Sequence, residues 1–388
     1  MYEDLLDSKN FCILPFVHAH ISTTGQSQVC CMSEQTFGNV KELGISNVYS
    51  KNNTKLINFR QDMLNNGLPE SCSNCSRPES YGNSSHRITS NKLFGHLLND
   101  IDDLVNNEKI FLWDVRFSNL CNLKCRMCGH GASTKIAEEE KIDNVLIKPF
   151  NDYFEFFDFF IENIDHVTEF YFCGGEPLLM EEHYRVLDLL IKHNKADTML
   201  RYNSNLTTLK LKDKKVIDYW QQFKNVKVSA SIDAGWEQLS YIRHGADWDS
   251  IIDNLKAIRQ DAGHVELILG VTVNILNAFH IFRMYKYLVN LHLIQPYEIY
   301  FIPVGGNMSL SCLPVELKER VTQHWLNELK NVNERNVIDS ALALLKEMND
   351  IDKHYMLTNF VREMKQLDSK RNENFVEVFP ELKELLNG

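Results

Sequence analysis

The sequence predicts an α/β fold, a partial (β/α)6 TIM-like barrel with a small cysteine-rich α+β module before it and a helical extension after it. From residue 110 onward, short apolar runs alternate with amphipathic helical segments, which is the pattern of parallel βαβ units. Five of the ten cysteines lie within the first 80 residues, in a context rich in Gly, Ser and Asn. After Pro314 the apolar periodicity is helical to the last residue.

The barrel is predicted from six strands with helical crossovers between them. The strands are Phe111–Phe117, Val167–Cys173, Met199–Asn203, Val226–Ile232, Val265–Val273 and Tyr297–Ile302. The crossover helices include Glu181–His193, Lys214–Phe223, Asp249–Gln260 and Phe279–Leu291. In a barrel of this type the loops after the strand carboxyl ends carry the chemistry, so functional residues are expected there.

We divide the chain at residues 1–105, 106–312 and 313–388 into N-terminal module, barrel and C-terminal extension. In the module, a strand over Phe16–Thr23 is expected to pair with Gln26–Met32 through a turn at Thr24–Gly25, ahead of a helix at Asn53–Leu64. The extension is expected to cap the open side of the barrel. Its predicted helices are Val315–Leu329, Val337–Met348 and Met356–Leu367.

Composition and charge exclude several classes of protein. The net charge of −11 gives no long-range attraction to phosphate backbones, which makes nucleic acid an unlikely partner. There is no apolar stretch of transmembrane length and no signal-peptide pattern, so we expect a cytoplasmic protein with no membrane partner. Ten cysteines in a reducing compartment indicate metal or redox chemistry and not structural disulfides.

Three cysteines, Cys121, Cys125 and Cys128, follow the first barrel strand at the spacing C-x3-C-x2-C. Three thiolates can hold three irons of a [4Fe–4S] cluster and leave the fourth iron without a protein ligand, unlike the four-cysteine sites of ferredoxins. An open iron on a low-potential cluster can bind a small molecule and give it one electron. A zinc site is the alternative, but such sites normally pair C-x2-C with a second C-x2-C or with histidines.

This run resembles the signature of the radical S-adenosylmethionine (SAM) enzymes. The resemblance implies that the open iron chelates the amino and carboxylate groups of SAM, and that one electron cleaves SAM to a 5′-deoxyadenosyl radical. The sequence Gly174-Gly175-Glu176-Pro177 follows the second strand and is similar to the loop that bonds the SAM amino group in this family. The alternative for Glu176 is an ordinary carboxylate at a helix start. The resemblance covers about residues 110–305.

Further cofactor-binding candidates follow from the same resemblance. Asn203 and Ser204 after strand three are similar to the polar loop that meets the ribose, and Ser229 and Ser231 share one face of strand four. These two serines are equally well explained as small residues lining the barrel.

Two more residues belong to the same set of candidates. Arg243 is placed to pair with the SAM carboxylate, with a surface salt bridge as the alternative. Met127 stands where the family usually has an aromatic residue near adenine, and a methionine can still cover an adenine face.

A second cysteine set lies in the N-terminal module. Cys12, Gly25 and Cys30 resemble the opening of the SPASM and twitch modules, which carry auxiliary iron–sulfur clusters, and Cys72 and Cys75 add a later pair. Together the four cysteines complete one auxiliary [4Fe–4S] cluster, which fits the one-cluster twitch arrangement.

Three alternatives to this auxiliary cluster stay open. The same four thiolates suit a structural zinc site. Cys31 could replace Cys30 as a ligand, although adjacent strand residues face opposite ways. His18 and His20 share a face and could also serve as ligands, although exposed hairpin positions explain them as well.

The resemblance implies a radical SAM oxidoreductase that abstracts a hydrogen atom from a peptide or a small amino-acid-like substrate. A flavodoxin- or ferredoxin-type donor would supply electrons, and the auxiliary cluster would assist electron transfer or substrate binding. One alternative is an epimerase or mutase on a small metabolite, with Cys312 as hydrogen-atom donor. Asp368 and Arg371 could reach the substrate, although a solvated helix end explains both. An alternative from another class is a non-enzymatic iron–sulfur electron carrier or sensor.

Overall fold

The structure, a computed structural model, describes residues 3–80 and 84–386. Its strands are short and follow the predicted order closely. The strands of the described residues are β1 (His18–Ile21), β2 (Gln26–Gln28), β3 (Thr36–Asn39), β4 (Leu112–Val115), β5 (Lys124–Cys125), β6 (Glu169–Phe172), β7 (Met199–Ser204), β8 (Lys210–Leu211), β9 (Lys214–Lys215), β10 (Val226–Ser231), β11 (Arg243–His244), β12 (Glu266–Val273) and β13 (Ile299–Pro303).

One nine-stranded sheet organises the molecule, in the order β13-β12-β10-β7-β6-β4-β1-β2-β3. Six strands of this sheet are parallel to their neighbours, which confirms the partial (β/α)6 barrel. They are β4, β6, β7, β10, β12 and β13. The first strand of the N-terminal module extends this sheet, because β1 pairs in parallel with β4 and places Ala19 opposite Trp113. The predicted boundary at residue 105 therefore separates two strands of a single sheet.

Helices connect the parallel strands and form the C-terminal extension. The helices of the described residues are α1 (Glu3–Leu6), α2 (Leu14–Val17), α3 (Val40–Leu43), α4 (Ile45–Val48), α5 (Thr54–Asn66), α6 (Ser73–Ser80), α7 (His86–Phe94), α8 (Thr134–Glu140), α9 (Tyr153–Glu162), α10 (Glu181–Lys192), α11 (Val216–Trp220), α12 (Trp236–Ile242), α13 (Trp248–Asp261), α14 (Ile281–Asn290), α15 (Val315–Leu329), α16 (Arg335–Asp350), α17 (Leu357–Arg371) and α18 (Phe375–Val378). No helix among these residues has the length and hydrophobicity needed to cross a bilayer.

The two faces of the sheet have different chemistry. On the outer face, Trp113 of β4 is fully buried and contacts Phe160 of α9 edge to face, with ring centroids 5.1 Å apart. Aromatic pairs of this geometry stabilise a packed layer beyond the area that they bury. The opposite face of the same strands carries charged and polar side chains, including Asp114 and Arg201. The inner face, called the lumen below, therefore has the composition of a binding site and not of a core.

Two predicted elements are wrong in detail. The expected strand Phe16–Thr23 begins as helix α2, because Pro15 at its first turn has a fixed φ suited to a helix start, and β1 begins only at His18. The expected helix Lys214–Phe223 begins instead as a strand, in the hairpin of β8 and β9, and α11 starts at Val216. Lys212 has a φ of 55° in the turn of this hairpin, a conformation that ends regular structure.

Candidate functional site

The cysteine loop lies at the carboxyl end of β4, where the sequence predicts it. Cys125 belongs to the short strand β5, which pairs antiparallel with β11, and the Cys128 amide donates to the Cys125 carbonyl at 3.1 Å. Among the described residues, no three His, Cys, Asp or Glu side chains are arranged to hold a single metal ion. Cys121, Cys125 and Cys128 lie in one loop, and three such thiolates could each ligate a different iron of a cluster.

Two of these three cysteines keep their protons when no metal is bound. Burial raises the pKa of Cys121 to about 12, so its thiol keeps the proton at neutral pH when no metal is present. The neighbouring Cys128 thiol and burial raise the pKa of Cys125 well above its ordinary value. Iron ligation requires thiolates, and iron bound here would replace these protons. The donor set of three soft sulfurs suits an iron–sulfur cluster.

The Gly174–Pro177 loop is hydrogen-bonded directly to the cysteine loop. The Gly175 amide donates to the Ser118 carbonyl at 3.1 Å, and the Glu176 amide donates to the Leu120 carbonyl at 2.7 Å. A β-carbon on Gly175 would stand 2.2 Å from the Leu120 carbonyl oxygen, so only glycine allows this approach. The backbone just before Cys121 is therefore held against the glycine loop.

The Glu176 side chain is buried, with 2% of its surface exposed, and its hydrogen bonds tie it to the end of β7. Its carboxylate accepts from the Ser204 hydroxyl at 2.7 Å, from the Asn205 amide at 2.7 Å and from the Leu178 amide at 3.2 Å. Burial raises the pKa of Glu176 to about 7, although these hydrogen bonds act in the opposite direction. A cationic ammonium group nearby would keep this carboxyl ionised, which suits the amino group of SAM.

Arg243 faces the same loop from β11. Its Nε donates to the Asp233 carboxylate at 2.7 Å, and its Nη1 lies 3.8 Å from the Cys125 sulfur. Asp233 also accepts from the Thr272 amide at 2.7 Å, which fixes the pair at the carboxyl ends of β10 and β12. The alternative explanation of Arg243 as part of a surface salt bridge is wrong, because Arg243 is only 8% exposed, while its pairing with the SAM carboxylate stays a prediction.

The remaining predicted SAM contacts lie on neighbouring strands. Asn203 pairs in register with Ser229, and Ser231 follows two residues later on the same face of β10. The Ser229 hydroxyl is 2.6 Å from the Tyr300 hydroxyl of β13. Met127 packs against the edge of the hydrophobic core. Their roles in cofactor binding stay predictions.

The structure brings four cysteines of the N-terminal module together. Cys12 is near enough to Cys30, Cys72 and Cys75 for all three thiols to affect its titration. Burial raises the pKa of Cys12 well above its ordinary value and that of Cys30 to about 12. Cys31 lies in a different environment from these four cysteines, because the charged groups beside it are those of the lumen. Cys31 is thus not placed to replace Cys30.

The two histidines considered as alternative ligands have other partners. His20 Nδ1 lies 2.8 Å from the Asp114 carboxylate of the neighbouring strand, and His18 Nδ1 lies 3.2 Å from the Val29 carbonyl. His20 is 2% exposed, so its alternative as an exposed hairpin residue is wrong.

Two family models match these parts of the chain. The model of the radical SAM superfamily matches residues 115–278, and that of SPASM, an iron–sulfur cluster-binding domain, matches residues 12–76. The chain therefore contains a radical SAM domain, preceded by a SPASM domain. Members of the superfamily use a [4Fe–4S] cluster and SAM, and the SPASM domain adds auxiliary iron–sulfur binding. No curated protein matches the sequence significantly.

Solved structures of other radical SAM proteins show a distant likeness. A structure titled anSMEcpe with bound AdoMet is 19% identical, with 57% of this chain and 60% of that chain covered and a TM-score of 0.39. SuiB of Streptococcus suis bound to S-adenosylmethionine is 14% identical, with 71% and 59% covered and a TM-score of 0.35. A mutant of spore photoproduct lyase with a dinucleoside spore photoproduct is 12% identical, with 55% and 60% covered and a TM-score of 0.34. This radical SAM chain thus spans about 60% of the length of these proteins, and nothing about its site is inferred from them.

Cys312 lies away from the cluster loops of this radical SAM protein. It is fully buried, and its thiol is 3.4 Å from the Gly306 carbonyl. The charged groups nearest to it are Lys353, Lys318 and Asp352, which belong to the C-terminal extension or its connections. Its role as a hydrogen-atom donor gains no support from this position and stays a prediction.

Sequence reasoning missed how the C-terminal extension joins the cysteine loop. Arg126, between Cys125 and Met127, has a fully buried side chain that pairs with Asp368 at 2.7 Å and Glu373 at 2.5 Å. Arg371 pairs with Glu139 at 2.8 Å. The explanation of Asp368 and Arg371 as a solvated helix end is therefore wrong, since both bind groups around the cysteine loop.

A second missed feature is a polar cluster in the lumen. Its members are Asp114, Arg116, Glu169, Tyr171 and Arg201. They lie on β4, β6 and β7 or directly after them, two residues apart within each strand, so the period-two pattern could have placed them on one face. The sequence analysis used these strands only to define the fold.

Proposed function

We propose that this radical SAM protein is an oxidoreductase that activates a C–H bond of a peptide or a small amino-acid-like substrate. Cys121, Cys125 and Cys128 would hold the catalytic [4Fe–4S] cluster. Together with SAM, that cluster supplies a 5′-deoxyadenosyl radical for hydrogen-atom abstraction. The observation that carries the proposal is the pair of backbone hydrogen bonds between the Gly175–Glu176 segment and the residues just before Cys121.

The protein's own groups would hold SAM beside the open iron. Glu176 offers a buried carboxylate for the ammonium group, and its three hydrogen bonds keep both oxygens oriented. Asn205 links the two halves of the site, because its amide donates to Glu176 and its side chain lies 3.9 Å from the Cys121 sulfur. Arg243 adds positive charge beside Cys125, which favours the thiolate form that binds iron.

The enzyme class is tested by SAM cleavage. Anaerobically reconstituted protein is reduced with dithionite, or with flavodoxin as a biological donor, and 5′-deoxyadenosine is measured. We expect product from the wild type and none from the Cys121/Cys125/Cys128→Ala variant. Glu176→Gln should lower SAM affinity, whereas Glu138→Gln should not, since Glu138 pairs only with Lys135 on the surface of α8. Fully loaded wild type that forms no 5′-deoxyadenosine would contradict the proposal and favour an electron carrier.

We further propose that Cys12, Cys30, Cys72 and Cys75 bind an auxiliary [4Fe–4S] cluster. Their mutual proximity supports this assignment, and so does the direction of Cys31, which faces the lumen instead. The Cys121/Cys125/Cys128→Ala variant should retain about four irons per chain. Adding Cys75→Ala should remove them, while adding Cys31→Ala should not. One zinc and no iron in the triple variant would establish the structural zinc alternative.

A further inference from the structure

The lumen cluster lies between the glycine loop and the N-terminal cysteines. A cavity of about 160 Å³ is lined by Cys31, Asp114, Glu169, Tyr171 and Arg201, among other residues. Cys31 comes from the N-terminal module and the others named come from the barrel strands, so the cavity lies where the module meets the barrel. Its volume accommodates only a small group, such as one end of a substrate.

Both carboxylates of the cluster already have close partners. Asp114 lies 2.8 Å from His20 Nδ1, and its other oxygen is 3.3 Å from the Cys173 thiol. Burial alone would raise the pKa of Asp114, but the hydrogen bond and charge of His20 hold it below its ordinary value. Glu169 pairs with Arg201 Nη2 at 2.6 Å. Neither acid therefore needs a further cation.

Arg116 has hydrogen-bonding capacity that the protein does not use. Its Nε is buried, and among the described residues no atom accepts a hydrogen bond from it. The nearest carboxylate oxygen, on Asp114, is 3.7 Å from Nε, which is an ion pair beyond hydrogen-bond distance. A buried N–H without an acceptor is unfavourable, and the rest of the guanidinium, whose side chain is 31% exposed, has donors open to an incoming group. Arg116 is thus placed to bind an additional anion.

Arg116 lies beside the Gly174–Pro177 loop, so an anion bound to it would be close to the proposed SAM site. The Cβ of Arg116 would lie 3.2 Å from a β-carbon on Gly174, so its backbone packs against the glycine loop. Cys173 and Cys31 both lie close enough to Arg116 to interact with its charge. Arg201 is the second cation of the cluster, and its buried Nε also has no acceptor among the described residues.

We propose that Arg116 binds a carboxylate of the substrate, so that the substrate is a carboxylic acid such as an amino acid or a peptide with an accessible carboxylate. Arg matches a carboxylate because its planar fork can donate two parallel hydrogen bonds. Arg201 adds positive charge on the same face. The proposal rests on the function proposed above, since it assigns the substrate class of that site.

The test uses two probes that differ in one group, N-acetylglycine and its uncharged amide, N-acetylglycinamide. Both are titrated by ligand-observed NMR into oxidised, SAM-bound holoprotein, and SAM affinity is measured separately by equilibrium dialysis. The variants are Arg116→Gln, which removes the charge, and Arg116→Lys, which keeps it. Arg362→Gln is the matched control, because Arg362 is exposed on α17 and, within residues 3–80 and 84–386, its side chain bonds only to Asn359.

The wild type should bind N-acetylglycine at least about tenfold more tightly than the amide. Arg116→Gln should abolish that preference, Arg116→Lys should retain part of it, and Arg362→Gln should leave it unchanged, with SAM affinity equal in all. A preference that persists in Arg116→Gln would overturn the proposal. So would tenfold weaker SAM binding by that variant, because Arg116 would then serve the SAM carboxylate.

Two further outcomes separate the alternatives. The first outcome concerns inorganic phosphate as a competitor. If phosphate displaces N-acetylglycine at a concentration lower than N-acetylglycine itself needs to bind, the site is a phosphate site and the carboxylate proposal is wrong. Failure of the proposed function would appear differently, as wild type that forms no 5′-deoxyadenosine, and it would leave the measured carboxylate preference unchanged.

Discussion

Replacing Gly175 with alanine tests the junction between the glycine loop and the cysteine loop. The new β-carbon would stand 2.2 Å from the Leu120 carbonyl oxygen, and ordinary contact begins at 3.4 Å, so the loops must separate by 3.4 − 2.2 = 1.2 Å. Moving that far would stretch the 3.1 Å and 2.7 Å hydrogen bonds of Gly175 and Glu176 beyond bonding distance. Two backbone bonds at about 1 kcal/mol each correspond to about 2 kcal/mol, or about a 30-fold change in affinity.

The assay is the dissociation constant for SAM, measured on anaerobically reconstituted protein with its iron content determined. Gly131→Ala is the matched control, because Gly131 lies just after the cysteine loop and a β-carbon there meets nothing within 4 Å. We expect the Gly175→Ala variant to bind SAM about 30-fold more weakly than this control. If the two variants bind SAM equally at equal iron content, the loop junction does not position SAM and the reasoning is wrong.

Three further predictions concern stability and assembly. Arg126→Met should lower the free energy of unfolding by about 3–5 kcal/mol, because it leaves Asp368 and Glu373 without their buried partner. Arg335→Met, on the surface, should leave the free energy of unfolding almost unchanged. Thermal unfolding of the two variants measures this difference. Arg126→Met should also make the C-terminal extension cleavable by limited proteolysis. Equal resistance of the two variants to proteolysis would show that Arg126 does not hold the extension against the cysteine loop. Burial lowers the pKa of His183 to about 3, below the ordinary value of 6.5, so stability is full above pH 6.5 and falls as the pH drops, by about 2 kcal/mol at pH 5. His183→Gln should therefore flatten the loss of unfolding free energy between pH 7 and 5, and an unchanged slope would show that His183 is not the group responsible.

Local patterns explain why much of the fold was predictable. The barrel strands are short segments with an apolar outer face, and the crossover helices have a 3.6-residue period. All six barrel strands were located in this way. The errors at Pro15 and at Lys214 arose where a helix start or a tight hairpin interrupts such a pattern within a few residues.

The cysteine loop and the glycine loop were located in the sequence for a different reason. Thiolate spacing and glycine turns are encoded within a few consecutive residues, so Cys121, Cys125 and Cys128 and the Gly174–Pro177 loop could be singled out without coordinates, and their roles as cluster ligands and SAM contacts stay predictions. The direction in which consecutive side chains point was harder to predict. Cys30 and Cys31 differ by one position, yet the structure directs one to the N-terminal thiols and the other to the lumen.

The sequence by itself determined the chemistry, because iron ligation and SAM binding depend on residue types at short spacings. Only the tertiary structure decided what surrounds that chemistry. The pairing of β1 with β4 joins residues almost 100 positions apart, and Arg126 meets Asp368 across 242 positions. Arg116 was an unremarked residue after a strand until folding placed it against the glycine loop, with a buried Nε from which no described atom accepts a hydrogen bond. Contacts of this kind depend on how separate strands and helices pack, and no short-range pattern in a single chain encodes them.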